Sequence, residues 1–195
     1  VERTLQRLLE SVRQCAACAP RLPFPPRPVL RVSATARLLI VGQAPGRRVH
    51  ETGIPWNDPS GDRLRAWLHL DRATFYDTAR IAIVPTGLCY PGSGARGDLP
   101  PRPECAPLWH PPLLKSMPRL RLILLVGTHA QAYYLGSRRK PTLADTVQAF
   151  ADYLPRFFPL PHPSPRNHRW FQTHPWLETT VLPAARTLVH NVLAL

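Results

Sequence analysis

Three sets of residues in this chain have types and spacings suited to chemistry. The four cysteines stand as Cys15-x2-Cys18, then 70 residues, then Cys89-x15-Cys105. Two thiolates three positions apart can face one metal, so Cys15 and Cys18 form a chelating unit. On spacing alone three outcomes compete: a four-thiolate iron–sulfur cluster, a structural zinc site, which more usually shows two C-x2-C knuckles, and disulfides or free buried thiols. The loops around Cys89 and Cys105 are rich in Pro and Gly and cannot easily form a core of their own. A metal tying them to the N-terminal segment would compensate.

The second set follows an apolar run, Leu38 to Val41, and extends to Leu64. Gly42 and Gly46 allow close backbone approach or positive φ. Gln43, followed by Ala44, can give both a donor and an acceptor to a planar ligand. Trp56 offers a stacking face, Asn57 and Asp58 add polar groups beside it, and a helix can start at Ser60-Gly61. Without a ligand the same stretch is a turn with a core Trp and an Asx-type cap at Asp58. It is no phosphate loop, because Gly-Lys-Ser/Thr is absent. The third set is the loop after FFPL. Pro161, Pro163 and Pro165 stiffen the backbone around His162 and Ser164, a good way to hold one imidazole and one hydroxyl, although a lone His is as readily structural. Arg166, Asn167, His168 and Arg169 follow, so the loop also has groups that grip phosphates. No Ser-His-Asp or Cys-His nucleophile set can be assembled.

The elements that must hold these loops are short apolar strands alternating with helices. Strands are expected at Arg37 to Val41, 81–84, Leu120 to Val126 and Phe157 to Leu160. Helices are expected at 2–14, Gly61 to Leu70, around Leu108 to Met117, His129 to Leu135, Leu143 to Tyr153 and Leu177 to Leu195. The segment Gly87 to Pro107 reads as a loop, and Gly136 to Lys140 as a basic turn. Such alternation implies a single α/β domain over 1–195, with a parallel sheet covered on both faces. In such a sheet, ligands bind at loops leaving the carboxyl ends of strands, which is where the second and third sets fall. The prolines cluster at 20–28, 100–107 and 155–165 and read as stiff, ordered loops.

The net charge is +13, and 23 of the 25 basic residues are Arg. That excess points to a polyanionic partner, nucleic acid above all. The competing explanation is a GC-rich genome choosing Arg codons. No run of about 18 apolar residues exists, so no membrane-spanning helix is expected. The first residues, VERTLQRLLESVRQ, are charged and helix-patterned and have no apolar signal-peptide core. The expectation is a cytoplasmic protein whose cysteines are reduced or metal-bound.

With these residues in view, the chain resembles the uracil-DNA glycosylase superfamily, most closely its iron–sulfur branch (family 4-like, with features of family 5). GQAPG at 42–46, G-x-P-W at 53–56 and S-G-x-R-L at 60–64 are similar to that branch's first motif. HPSPRN at 162–167 is similar to the second, and the cysteine spacing matches the branch's cluster ligands. The resemblance implies a three-layer α/β/α sandwich with a central four-stranded parallel sheet. It implies a monomer that acts on DNA, flips out uracil or another deaminated base, and hydrolyses its N-glycosidic bond.

By carry-over, Gly42, Gln43, Ala44, Trp56 and Asn57 would contact the base, with Trp56 stacking on it. His162 would donate to the base O2. Asp58 is a nearby carboxylate for the attacking water, with Glu51 a second. Ser60, Ser164, Arg166 and Asn167 would hold DNA, with Arg166 entering the gap left by the base. Cys15, Cys18, Cys89 and Cys105 would ligate a [4Fe-4S] cluster as a structural element. The sequence departs from the branch at two points: Pro85 replaces an Asn that reads the base edge, and His50 replaces an acidic residue. Ala44 stands where some other families carry a catalytic Asp, which this branch does without.

Overall fold

The computed structural model describes residues 2–95 and 97–195. In chain order the helices are α1 (Glu2–Arg13), α2 (Arg47–Thr52), α3 (Pro59–Leu68), α4 (Arg72–Tyr76), α5 (Cys105–Lys115), α6 (Thr128–Leu135), α7 (Leu143–Gln148), α8 (His168–Thr173) and α9 (Leu182–Leu193). The strands are β1 (Leu38–Val41), β2 (Ile81–Ile83), β3 (Ser93–Gly94), β4 (Gly97–Asp98), β5 (Leu122–Val126) and β6 (Phe157–Leu160). Four of them form one parallel sheet in the order β2-β1-β5-β6, and β3 and β4 form a two-residue antiparallel hairpin.

Side chains alternate between the two faces of a strand, and both faces of this sheet are covered. Leu38, Ile40, Ile81, Ile83, Leu122 and Leu124 pack with Leu64 and Leu68 of α3 and Ala185 and Val189 of α9. On the other face Leu39, Val41, Ala82, Ile123 and Leu125 pack with Leu5 and Val12 of α1, Leu113 of α5 and Ala130 of α6. The result is an α/β/α sandwich whose strands are apolar throughout because neither face meets water. From β1 the chain crosses to β2 on one side, and β5 lies on the other. The carboxyl ends of β1 and β5 therefore flank the switch point where such sheets bind ligands.

The four expected sheet strands are present, with β1 and β5 starting one and two residues later than read from sequence. Helix α3 starts earlier than expected because Asp58 caps it and Pro59 occupies its first turn. The segment expected as one helix from Leu143 to Tyr153 is α7 followed by a 3-10 turn, Phe150–Tyr153. The expected helix from Leu177 to Leu195 opens as a π turn, Leu177–Val181, before α9. Helix α2 and the β3–β4 hairpin fall where loops were expected, and the short helices α4 and α8 where no element was expected. Among the described residues no helix is long and apolar enough to cross a membrane.

Candidate functional site

Where β1 ends, the chain turns over Gly42 and Gln43, and residues leaving β2 lock that turn. The Thr86 hydroxyl donates to the Gln43 carbonyl at 2.6 Å, and the Gly87 N–H donates to the same oxygen at 2.7 Å. The Thr86 N–H donates to the Gly42 carbonyl at 3.0 Å. Among the described residues, the N–H groups of Gln43 and Ala44 donate to no backbone acceptor outside the helices and strands.

Trp56 is fixed from three sides. Its φ is 57°, a left-handed conformation unusual for a bulky residue. Its carbonyl accepts from Arg65 Nη1 at 3.2 Å. A Cβ at Gly42 would come within 2.8 Å of the indole ring, and one at Gly61 would run into the Trp56 carbonyl, so only glycine fits at either place.

These residues build a slot. Gly42, Gln43, Ala44, Trp56, Asp58 and His162 line it together with the apolar Val29, Val49, Pro55, Ile83 and Pro85. The rings of Trp56 and His162 lie 5.6 Å apart, tilted by 33°. A narrow opening with an aromatic ring, apolar walls and a few polar groups suits a planar heteroaromatic ring. Asn57 does not join it: its Oδ1 accepts from Arg72 Nη2 at 2.8 Å, and it lines neither this slot nor the cavity beyond. The left-handed turn at Trp56 separates the two neighbours, indole inward and amide outward.

Outside the slot lies a wider, more polar mouth shared by Gln43, Ala44, Asp58 and His162 with Ser60, Ser164, Arg166 and Asn167. The His162 loop is braced here. Asn167 Nδ2 donates to the His162 carbonyl at 2.8 Å, and Arg63 Nη1 donates to the Ser164 carbonyl at 3.2 Å. Beneath it, Gly127 has φ 89°, and a Cβ there would come within 3.3 Å of His162 Cβ. Asn167 and Arg63 therefore hold the loop, while Ser60, Ser164 and Arg166 face the opening.

Burial lowers the pKa of His162 below the ordinary imidazole value. Asp58 and then Asp98 oppose the shift, and His129 adds to it. The ring is therefore neutral at pH 7, with one N–H to donate. Asp58 has two roles: its Oδ1 accepts the Gly61 N–H at 2.8 Å as the cap of α3, and it also lines both slot and mouth. Glu51 is turned away on α2, paired with Arg47 at 3.0 Å.

The four cysteines come together although they lie in distant parts of the chain. Cys15, Cys18, Cys89 and Cys105 line one cavity with Leu22, Pro26, Leu88, Arg102 and Trp109. All four are free thiols. The Leu88 N–H donates to Cys105 Sγ at 3.3 Å and the Trp109 indole N–H to Cys15 Sγ at 3.4 Å. Burial pushes the Cys105 thiol up to about 12 and the Cys89 thiol to about 11, and the neighbouring thiols add to the rise.

Among the described residues no three His, Cys, Asp or Glu side chains stand close enough to hold a single metal ion. A lone zinc would need thiolates drawn in to bonds of about 2.3 Å, whereas a cluster of four irons presents its ligand positions farther apart. Arg102 adds a buried Nε–H with no partner at this cavity. Four thiols lining one cavity are a donor set suited to a thiolate-held group.

Fold and site together define an α/β/α sandwich with a ring-binding slot at the carboxyl ends of its central strands. The model of the uracil DNA glycosylase superfamily matches residues 31–186, and the chain belongs to that superfamily. The matched span includes both polar loops; Cys15 and Cys18 precede it. The chain is also similar to the solution NMR structure of a uracil DNA glycosylase candidate from Methanosarcina acetivorans. Identity there is 18%, covering 86% of this chain and 98% of that one, with a TM-score of 0.48.

Sequence reasoning missed the roles of Thr86, Gly127 and Asp98, and it included Arg63 in the 60–64 motif without giving it a role. Gly127 follows β5 directly and Thr86 comes three residues after β2, so their place at a strand's carboxyl end was a usable signal. Asp98 gave none, lying inside a Gly/Pro-rich loop.

Proposed function

We propose that the protein is a DNA glycosylase that flips uracil or another deaminated base out of DNA and hydrolyses its N-glycosidic bond, leaving an abasic site. One observation carries the reading. Gln43, Trp56 and His162, from separate parts of the chain, converge on one slot, and its mouth bears Ser60, Ser164 and Arg166. An extruded base would enter the slot and stack on Trp56, with the N–H groups at 43 and 44 in reach of its carbonyls.

As the bond between C1′ and the base nitrogen breaks, its electron pair stays on the base. A neutral His162 donating to O2 stabilises that charge as it develops. The sugar becomes oxocarbenium-like, and the Asp58 carboxylate, with one oxygen free of its capping bond, is a negative group facing it. Ser60 and Ser164 would hold phosphates, and Arg166 would fill the gap in the stack. Cys15, Cys18, Cys89 and Cys105 would hold a [4Fe-4S] cluster that braces the adjoining loops and takes no part in the reaction. The protein would work as a cytoplasmic monomer.

Pro85 bears on the choice of base. Its carbonyl accepts from His110 Nε2 at 3.0 Å, and its side chain offers the slot only carbon. A site that has lost one hydrogen-bonding reader discriminates less between bases. Pro85 and Ala44 also favour a second reading, a nucleic-acid-binding member of the superfamily that does no chemistry. The two separate on 5′-labelled oligonucleotides carrying uracil, hypoxanthine or xanthine, incubated with the protein and then cleaved with alkali at abasic sites. Strand cleavage at one or more of these bases is expected. Tight binding with no cleavage at any of them would establish the second reading.

A further inference from the structure

We infer that Asp98, on the β3–β4 hairpin, is a catalytic carboxylate that orients the attacking water. The inference rests on the glycosylase reading above and concerns a residue that no motif singles out. Asp98 lines the mouth together with His162 and Asp58, and these two carboxylates both act electrostatically on the His162 ring. Asp58 has one oxygen committed to capping α3. Ala44 has no carboxylate to offer, and Glu51 points away. Asp98 is exposed, as a group that meets water must be.

Its orientation is set by a relay. The Ser93 hydroxyl donates to Asp98 Oδ1 at 2.8 Å, and the Tyr90 hydroxyl lies 2.6 Å from Ser93 Oγ. A carboxylate only accepts, so Ser93 must spend its proton on Asp98, and Tyr90 must donate to Ser93. Tyr90 is buried and packs beside His50, with ring centroids 6.0 Å apart. The other oxygen, Oδ2, faces the 42–46 turn, where a Cβ at Gly46 would come within 3.2 Å of it.

The hairpin is also joined to the His162 loop. Gly97 has φ 113°, and the Arg166 guanidinium lies against it so closely that no side chain fits there. Asp98 and His162 thus line one opening. A carboxylate at the DNA-facing mouth of a protein with net charge +13 works against phosphate binding. Such a charge has a use when positive charge develops at the sugar. Water adds through oxygen to C1′ as the bond to the base breaks. Its proton passes to Asp98 and on to solvent, and the base anion, held by His162, is protonated from solvent.

The test is single-turnover cleavage by Asp98→Asn, on whichever base the wild-type protein cleaves, alongside DNA affinity and thermal midpoint. The rate should fall by about a hundredfold or more, with an unchanged midpoint and DNA binding equal to or tighter than wild type. Ser93→Ala should slow cleavage on the order of tenfold, and adding it to Asp98→Asn should cost nothing further, because both act through one group. A variant Asp98→Asn that cleaves at the wild-type rate, or one whose rate, affinity and midpoint fall together, overturns the inference and leaves the glycosylase reading standing. A wild-type protein that cleaves no base overturns both.

Discussion

The ring slot and the cysteine cavity lie on either side of the same turn and are held in different ways. Gly42 and Gln43 leave the central strand β1, and their carbonyls are tied to Thr86 and Gly87 leaving β2. Trp56 is wedged between two glycines, and Asn167 and Arg63 brace the His162 loop. The cysteine cavity has little of this. No residue from Arg13 to Pro28 is buried, and that segment reaches the rest of the cavity mainly through contacts such as Trp109 to Cys15 and Arg102 to the Arg21 carbonyl, 2.5 Å. A site assembled by backbone bonds on a sheet is preorganised without its ligand. A site closed by loops with no core of their own depends on what binds it.

The largest consequence concerns catalysis at the slot. His162→Ala should reduce cleavage by about 100- to 1,000-fold, the usual loss for one preorganised donor, while DNA affinity changes little. Equal losses in rate and affinity would make His162 a structural residue and the slot less rigid than described.

On the cysteine side, Cys105→Ser should abolish the visible absorbance near 400 nm expected of an iron–sulfur protein. It should also speed proteolysis within 13–28 and 87–104 on the order of tenfold, with 38–64 still protected. Uniform opening would mean that both sites depend on the bound group.

A third effect runs through His110 on α5, the helix that starts at Cys105. Its Nε2 donates to the Pro85 carbonyl at the slot, and its Nδ1 accepts from the Tyr134 hydroxyl at 2.6 Å. Burial lowers its pKa from 6.5 to about 4. A lowered folded-state value means that the stabilisation is complete above the unfolded pKa and is lost as pH falls through the folded one. Between pH 6.5 and 4 the fold should lose stability progressively, up to roughly 3 kcal/mol from this group. Urea unfolding at pH 7, 5.5 and 4.5 measures it. His110→Phe should be less stable at pH 7 and show a shallower acid slope; an unchanged slope would assign the loss elsewhere.

The smallest effect tests the packing of the slot itself. Gly42→Ala should cost about 1–3 kcal/mol through overpacking against the indole and should slow cleavage more than it weakens DNA binding. No change in either would mean that Trp56 moves freely.

Which parts were legible in the sequence follows from the same physics. The four sheet strands are apolar runs buried on both faces and stopped by Gly or Pro, so they stand out without periodicity. The slot residues at 42–43 and 162 fall at turns where such strands end, and Trp56 lies in the turn between α2 and α3. Helices α2 and α8 have six residues each and too little apolar pattern to register. The direction of Asn57 depends on the positive φ of Trp56, which packing around Gly42 and Gly61 imposes and residue type does not announce. Asp98 reaches the mouth through tertiary contacts, Ser93 with its carboxylate and Arg166 against Gly97, that no spacing encodes.

The most direct test follows the oxygen. The protein is incubated in heavy-oxygen water with DNA carrying the cleaved base, and both products are weighed by mass spectrometry. Hydrolysis in the slot predicts the intact free base without label and the heavy oxygen in the abasic sugar, with both products formed about 100- to 1,000-fold more slowly by His162→Ala. A base that stays attached to DNA bound in the mouth, or one released without heavy oxygen entering the sugar, would contradict it.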